Sequence, residues 1–212
     1  MPKKPPAFIE KASLHRMESQ LDGIKSGAHQ RDSQLVTPKN LDCISMLARA
    51  DVGFVHLCVR SLRWPVLKRL AVAVSWLGNG WIYAGIAIAI AVAMGAEAFG
   101  IIWRSSASVA ILHSLYRPLK TWLSRPRPFS ILPELQPLLP ALDEYSCPSG
   151  HTMTLTAVLI TLPVVSFSAI LALVCVWTMM AWARVAVGHH YPSDVLAGSA
   201  LAMLVAYPIS KM

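Results

Sequence analysis

The sequence predicts an all-α protein, a polytopic membrane helical bundle of about five to six spans. Two observations predict it. Of 212 residues, 55% are hydrophobic and 14% charged, and the mean hydropathy is +0.50, which leaves too little charge for the surface of a soluble domain. The runs 70–96, 152–183 and 195–210 carry no Asp, Glu, Lys, Arg or His, and uncharged runs of this length read as spanning helices. A soluble domain of this size would have to bury each of them on all sides.

The elements follow in order. Residues 1–40 are polar, with prolines, glycines and mixed charge, and read as a basic N-terminal tail in the cytoplasm. Their start, MPKKPPAFIEKASLHR, lacks the apolar core of a signal peptide. Residues 41–69 mix apolar side chains with Arg49, Asp51, Arg60, Arg63, Lys68 and Arg69. That is the pattern of one or two amphipathic helices at the membrane interface, or of a degenerate first span. A transmembrane domain is expected over 70–212. Within it, Gly78-Asn79-Gly80 marks either a turn between a short helix and a span or a kink in one long span. A helix over 99–123 carries Arg104, His113, Arg117 and Lys120, and a proline-rich polar loop follows over 124–150. Residues 152–187 suffice for two rather short spans divided near 163–168, and a last helix runs from about Pro192 to Ser210.

Charge placement narrows the partners. Twelve of the nineteen Lys and Arg residues lie within 1–69. Basic residues beside a first span orient it and attract anionic headgroups, so the net charge of +8 calls for a membrane and for no nucleic acid. The four cysteines show no CxxC spacing and imply neither a disulfide framework nor a cysteine metal site.

Ionisable groups close to hydrocarbon are costly, so those at the helix ends are functional candidates by default. Counting passes places 120–127, 148–151 and 184–194 at one membrane face. In KTWLSRPRP, two prolines end the helix, leaving Lys120 on it and Arg127 on the stiff loop beyond. A point charge and a planar fork so placed can clamp a phosphate, whereas Arg125 fits a headgroup-binding patch. In YSCPSGHTM, Ser149 is an N-cap or a donor to an anion at the helix N-terminus. Gly150 lets that anion approach the backbone, and His151 can move protons. In RVAVGHHYPSD, Gly188 stops one helix and Pro192 starts the next. His190 then lies in a short turn with Asp194 four residues on. An aspartate accepting from its Nδ1–H would leave Nε2 free to attack. His189 reads as an interfacial histidine. Three cations (Lys120, Arg127, Arg184), a helix terminus and two histidines suit metal-free phosphoryl transfer, with one histidine attacking and the other protonating the leaving oxygen.

These three motifs, Lys120-x6-Arg127-Pro128, Pro148-Ser149-Gly150-His151 and Arg184-x5-His190-x3-Asp194, resemble the signature motifs of the type 2 phosphatidic acid phosphatase (PAP2) superfamily, over roughly 70–212. The resemblance implies a PAP2/haloperoxidase-like helical core. It implies that Lys120, Arg127, Ser149, Gly150 and Arg184 bind phosphate, that His190 forms a phosphohistidine oriented by Asp194, and that His151 is the general acid, with no metal and no cofactor. The family usually has Ser-Arg where this chain has Ala183-Arg184. SRPRPF, YSCPSGHT and GHHYPSDVLAG look most like short bacterial integral-membrane members. Those act on lipid-linked phosphates: undecaprenyl diphosphate, phosphatidylglycerophosphate or phosphatidate. The implied place is the bacterial inner (plasma) membrane.

Other readings compete. A non-catalytic lipid-phosphate-binding or transport protein would use the same cations. Vanadate-dependent oxidation would use the same anion site, although the haloperoxidases of the family are chiefly soluble and larger. A metallohydrolase would need His151, His189, His190 and Asp194 as ligands in a spacing that is no recognised zinc pattern. Orientation turns on 41–63: if that stretch stays out of the bilayer the site faces the cytoplasm, and if it crosses the site faces outward.

Overall fold

The structure is a computed structural model and describes residues 38–132, 134–163 and 166–212, with side chains from Met46 onward. The tail expected over 1–40 lies almost wholly outside them. All regular structure among the described residues is helical, as expected: α1 (Pro38–Ser61), α2 (Pro65–Leu77), α3 (Trp81–Met94), α4 (Ala98–Leu123), α5 (Pro128–Ile131), α6 (Gly150–Thr161), α7 (Phe167–Ala186) and α8 (Pro192–Ser210). Residues Ala48–Met212 make one compact unit.

Proline and glycine set most boundaries. Proline is at the first helical position of α2, α5 and α8, where its missing N–H is no loss. Gly78-Asn79-Gly80 is a turn, the first of the two alternatives; Gly80 has φ of +135°, which L side chains rarely adopt. A 3-10 turn, Gly95–Glu97, reverses the chain, so Tyr83 and Ile90 of α3 share a crevice with Val109 and Ile102 of α4. Helix α2 runs straight through residues 69 and 70.

Three stretches are long and apolar enough to cross a membrane: Trp81–Ile131, Phe167–Ala186 and Pro192–Ser210. The first contains the α3–α4 hairpin, so it supplies two arms. A count of five to six would need α1 and α6 to cross as well. The latter has 12 residues, about 18 Å of helix, which alone falls short of a hydrocarbon core of about 30 Å. Its place is inside the protein: from His151 to Val158 every residue is buried. Helix α6 packs against α4, α7 and α8, and α2 packs on α7.

Lipid tails are as apolar as leucine, so close packing and interhelical hydrogen bonds must hold these helices together. Both are present around α6. Trp177 Nε1 donates to Thr156 Oγ1 (3.0 Å) and to Ser199 Oγ (3.2 Å), joining α7, α6 and α8. His113 Nε2 meets Thr154 Oγ1 at 3.0 Å, and Ser105 bonds Thr161, joining α4 to α6. Leu112, Met153, Ala157, Ala202 and Ala206 fill the space between with no exposed surface. The result is a fixed central helix whose N-terminus, Ser149-Gly150-His151, is held against its neighbours.

Candidate active site

All three motifs meet at that N-terminus. Lys120, Arg127, Arg184, Ser149, His151, His190 and Asp194 are all buried. Gly150 faces Tyr116, whose ring would lie 2.9 Å from an added Cβ, so a side chain there would push the Tyr116 ring aside. A cavity of about 720 Å³ opens over Lys120, Gly150 and His151.

Loop geometry positions His190. Gly188 ends the helical path after α7 in the left-handed region, φ +78°, and the chain turns into Pro192 at the head of α8. His190 Nδ1 lies 2.7 Å from the carbonyl oxygen of Ser146. A carbonyl can only accept, so Nδ1 carries the proton and Nε2 keeps its lone pair. Ser146 is itself tied to the first motif, its N–H donating to Arg125 O at 2.8 Å. Burial, then the charges of Arg184, Arg127 and Lys120, hold the His190 pKa well below the usual histidine value. The ring is therefore neutral at pH 7 and nucleophilic.

The aspartate expected to accept from Nδ1 does something else. Asp194 Oδ2 is 3.8 Å from His190 Nδ1, outside hydrogen-bond range. Oδ2 instead accepts from the Tyr191 N–H at 2.8 Å, capping α8, and Oδ1 accepts from Arg125 Nη1 at 2.6 Å. Asp194 thus bears on His190 through the turn that it caps. Its backbone carbonyl also accepts from the Ser149 N–H at 3.0 Å, so one residue braces both the second and third motifs.

Arg125 and His189 also depart from expectation. Arg125 pairs with Asp51 of α1 at 2.7 Å as well as with Asp194, so it is a tie rod between segments and not a headgroup patch. His189 is 1% exposed. Its Nδ1 accepts from Arg184 Nη2 at 2.8 Å, and its Nε2–H donates to Leu139 O at 2.9 Å. Burial first, then the Arg184 charge, lowers its pKa to about 4, and the neutral ring is what lets it accept from a guanidinium.

Residues that the motifs did not reveal complete the site. Asn79 Oδ1 lies 2.8 Å from His151 Nε2, which places the proton on Nε2. Asp51, an acid in a basic amphipathic stretch, accepts from Ser193 N (3.0 Å) and anchors α1 to the head of α8. Asp143, on the loop before α6, receives Lys120 Nζ and Arg127 Nη2 on the same oxygen, each at 2.5 Å. Among the described residues four fully buried polar atoms have no partner, Ser75 Oγ, Arg104 Nε, Ser149 Oγ and Arg184 Nε, and the last two belong to the motifs. Ser149 stands at the N-cap position of α6 yet makes no capping bond, so its hydroxyl is left over. Buried polar atoms in folded proteins are nearly always paired, and these two are where the motifs would hold an anion.

A sequence model of the PAP2 superfamily matches residues 101–212, more than half of the chain and all three motifs. The chain belongs to the PAP2 superfamily. Among solved structures, this PAP2 protein is similar to a transmembrane PAP2-type phosphatidylglycerolphosphate phosphatase from Bacillus subtilis, at 21% identity and a TM-score of 0.60, over 78% of this chain and 85% of that one. It is also similar to LpxE from Aquifex aeolicus, at 20% identity and a TM-score of 0.65, over 76% of this chain and 94% of that one. At these identities the likeness is one of fold. No curated protein matches the chain. Fold, family and apolar helices together make it an integral membrane protein.

Proposed function

We propose that the chain is a membrane lipid phosphatase that hydrolyses a phosphate monoester or diphosphate headgroup through a phosphohistidine at His190. The substrates in view are an isoprenoid diphosphate such as undecaprenyl diphosphate, phosphatidylglycerophosphate and phosphatidate. The observation that carries this reading is the pair of unpartnered buried donors, Ser149 Oγ and Arg184 Nε, set beside a neutral histidine with its Nε2 lone pair bare. A phosphoryl group offers the oxygens those donors lack. The similar Bacillus subtilis structure is of a phosphatidylglycerolphosphate phosphatase, which supports a lipid phosphate without choosing the headgroup.

In this mechanism the phosphate lies among Lys120, Arg127, Arg184, Ser149 and the amides that open α6. His190 Nε2 attacks phosphorus in line, a P–N bond forms and the P–O bond to the leaving group breaks, the lipid hydroxyl of a monoester or the lipid monophosphate of a diphosphate. His151 delivers its Nε2 proton to the leaving oxygen, exchanging its bond to Asn79. Water then attacks phosphorus, the P–N bond breaks and returns its electron pair to His190 Nε2, His151 takes the proton from the water, and phosphate leaves. Each buried donor aimed at the developing charge contributes on the order of 3 kcal/mol to the barrier reduction.

Phosphate release by the purified protein in detergent tests it, across an isoprenoid diphosphate, phosphatidylglycerophosphate and phosphatidate, with and without EDTA. Release from at least one, unaffected by EDTA and abolished in His190→Ala while orthovanadate still binds, is the expected result. Release from none, or full activity in His190→Ala, refutes the proposal.

A further inference from the structure

The proposed phosphate site is already half occupied. Asp143 Oδ1 bridges Lys120 Nζ and Arg127 Nη2 at 2.5 Å each, so a carboxylate oxygen stands where a phosphate oxygen would bind. Each guanidinium nitrogen of Arg127 makes one bond. Its Nε donates to the backbone carbonyl of Asp143 at 3.0 Å and its Nη1 to that of His189 at 2.8 Å. Nη2 is the nitrogen whose partner is a side chain that can be displaced, the Asp143 carboxylate. Ser149 Oγ and Arg184 Nε, by contrast, have no partner, so the members of the cradle are treated differently.

The carboxylate sits on the exit side. Its side chain is 30% exposed, against 4% for Lys120 and 3% for Arg127, and it lines the large cavity together with Lys120 and His151. It rides on the loop between α5 and α6, steadied by Tyr116, whose hydroxyl donates to Oδ2 at 2.8 Å. Burial would raise its pKa, but bonds from Lys120 and Tyr116 and the neighbouring charges outweigh that and hold it at about 2. The competitor is therefore ionised at every physiological pH.

A bilayer surrounds this site with phosphodiester headgroups, each with a single negative charge, at very high local concentration. A bare cation clamp would be filled by them. A phosphomonoester carries close to two charges at neutral pH, and a diphosphate carries more. Resting on the reading of Lys120 and Arg127 as phosphate ligands, we propose that Asp143 is a specificity-determining residue: a resident carboxylate that phosphomonoesters and diphosphates displace from the clamp and phosphodiesters do not. Discrimination comes from what the site holds against the wrong ligand as much as from contacts to the right one.

The test is Asp143→Asn in the full chain, which keeps the side-chain shape and the backbone carbonyl that Arg127 uses. Two readouts are taken in neutral detergent. Calorimetric binding of inorganic phosphate should tighten about tenfold or more, since an intramolecular competitor acts at an effective concentration of roughly millimolar or above. In turnover, added phosphatidylglycerol should become a competitive inhibitor of the variant, raising KM at constant kcat, while the wild type is indifferent to it. Equal or weaker phosphate binding in the variant, or equal inhibition of both proteins, overturns the inference and makes Asp143 a fixed support for the two cations. If neither protein binds phosphate, the anion site itself is wrong and the inference falls with it. Should Asp143→Asn not fold, Tyr116→Phe removes the donor that steadies Oδ2. A smaller tightening is then expected, and an unchanged or weaker affinity counts against the proposal.

Discussion

Gly198 lies in the middle of α8, yet its absent side chain bears on the active site. A methyl group there would be 2.6 Å from the backbone oxygen of Ser149, and 3.3 Å from both Ser149 N and Thr152 Oγ1. Ordinary carbon–oxygen contacts begin near 3.3 Å, so the backbone must yield by roughly 0.7 Å. It cannot yield locally. Ser149 O accepts the first helical bond of α6 from Met153 N at 3.0 Å, and Ser149 N is held by Asp194 O at 3.0 Å. Gly198→Ala therefore pushes the whole N-terminus of α6 away from α8. Overpacking of this kind costs about 1–3 kcal/mol of stability, and a displacement approaching 1 Å at a catalytic constellation costs about a hundredfold in rate. The assay is thermal unfolding in detergent paired with phosphate release, with Gly85→Ala as control, because nothing lies within 4 Å of a Cβ at Gly85. If Gly198→Ala and Gly85→Ala match in both stability and turnover, the close approach of α6 and α8 is not what sets the site.

Two further predictions concern groups behind the site. Asp51→Asn breaks the ion pair with Arg125 and weakens the hold on Ser193. With Arg125 29% exposed, the loss should be about 1–3 kcal/mol, short of a fully buried pair, read as a lower unfolding midpoint with a secondary loss of activity through Asp194. His189 should make stability acid-sensitive. Its folded pKa is about 4 against 6.5 unfolded, so below pH 6.5 the unfolded chain binds more protons and stability falls as pH drops toward 4, by up to ~3 kcal/mol. Unfolding midpoints from pH 7.5 to 4.5 should show this slope. His189→Gln, which can still accept from Arg184 and donate to Leu139 O, should reduce the slope while keeping activity, and His189→Leu should lose activity. An identical slope in wild type and His189→Gln would remove His189 from the account.

Legibility differed by the kind of atom involved. The apolar runs announced the helices, and α4, α7 and α8 begin and end within a residue or two of where prolines, glycines and charges place them. The α3–α4 reversal over Gly95–Glu97 falls where the uncharged run ends and the helix expected over 99–123 begins. The meeting of Lys120, Arg127, Arg184, Ser149, His151 and His190 was legible because side-chain type picks them out of apolar surroundings, and type is what a sequence records. The hydrogen bond that orients His190 was not, since its acceptor is the backbone carbonyl of Ser146, and every residue has one. Asp194 was recognised as near His190 but given the wrong bond. Four residues of separation fix neighbourhood and leave open which donor wins, and here the Tyr191 N–H and Arg125 are better placed.

Composition and spacing alone determined that this chain enters a membrane as helices and carries three polar motifs destined for one face. Both follow from the cost of charge in hydrocarbon, which acts on local sequence. Tertiary structure alone decided how those motifs are bound together: Asp51 reaching Arg125 from α1, His189 turned inward on Arg184, Asp143 lodged between Lys120 and Arg127, and α6 enclosed by its neighbours. Those pairings join residues between 5 and 74 positions apart, through loops whose path no local preference dictates. They exist because each buried charge, once packed, must find whichever partner the fold has brought within reach.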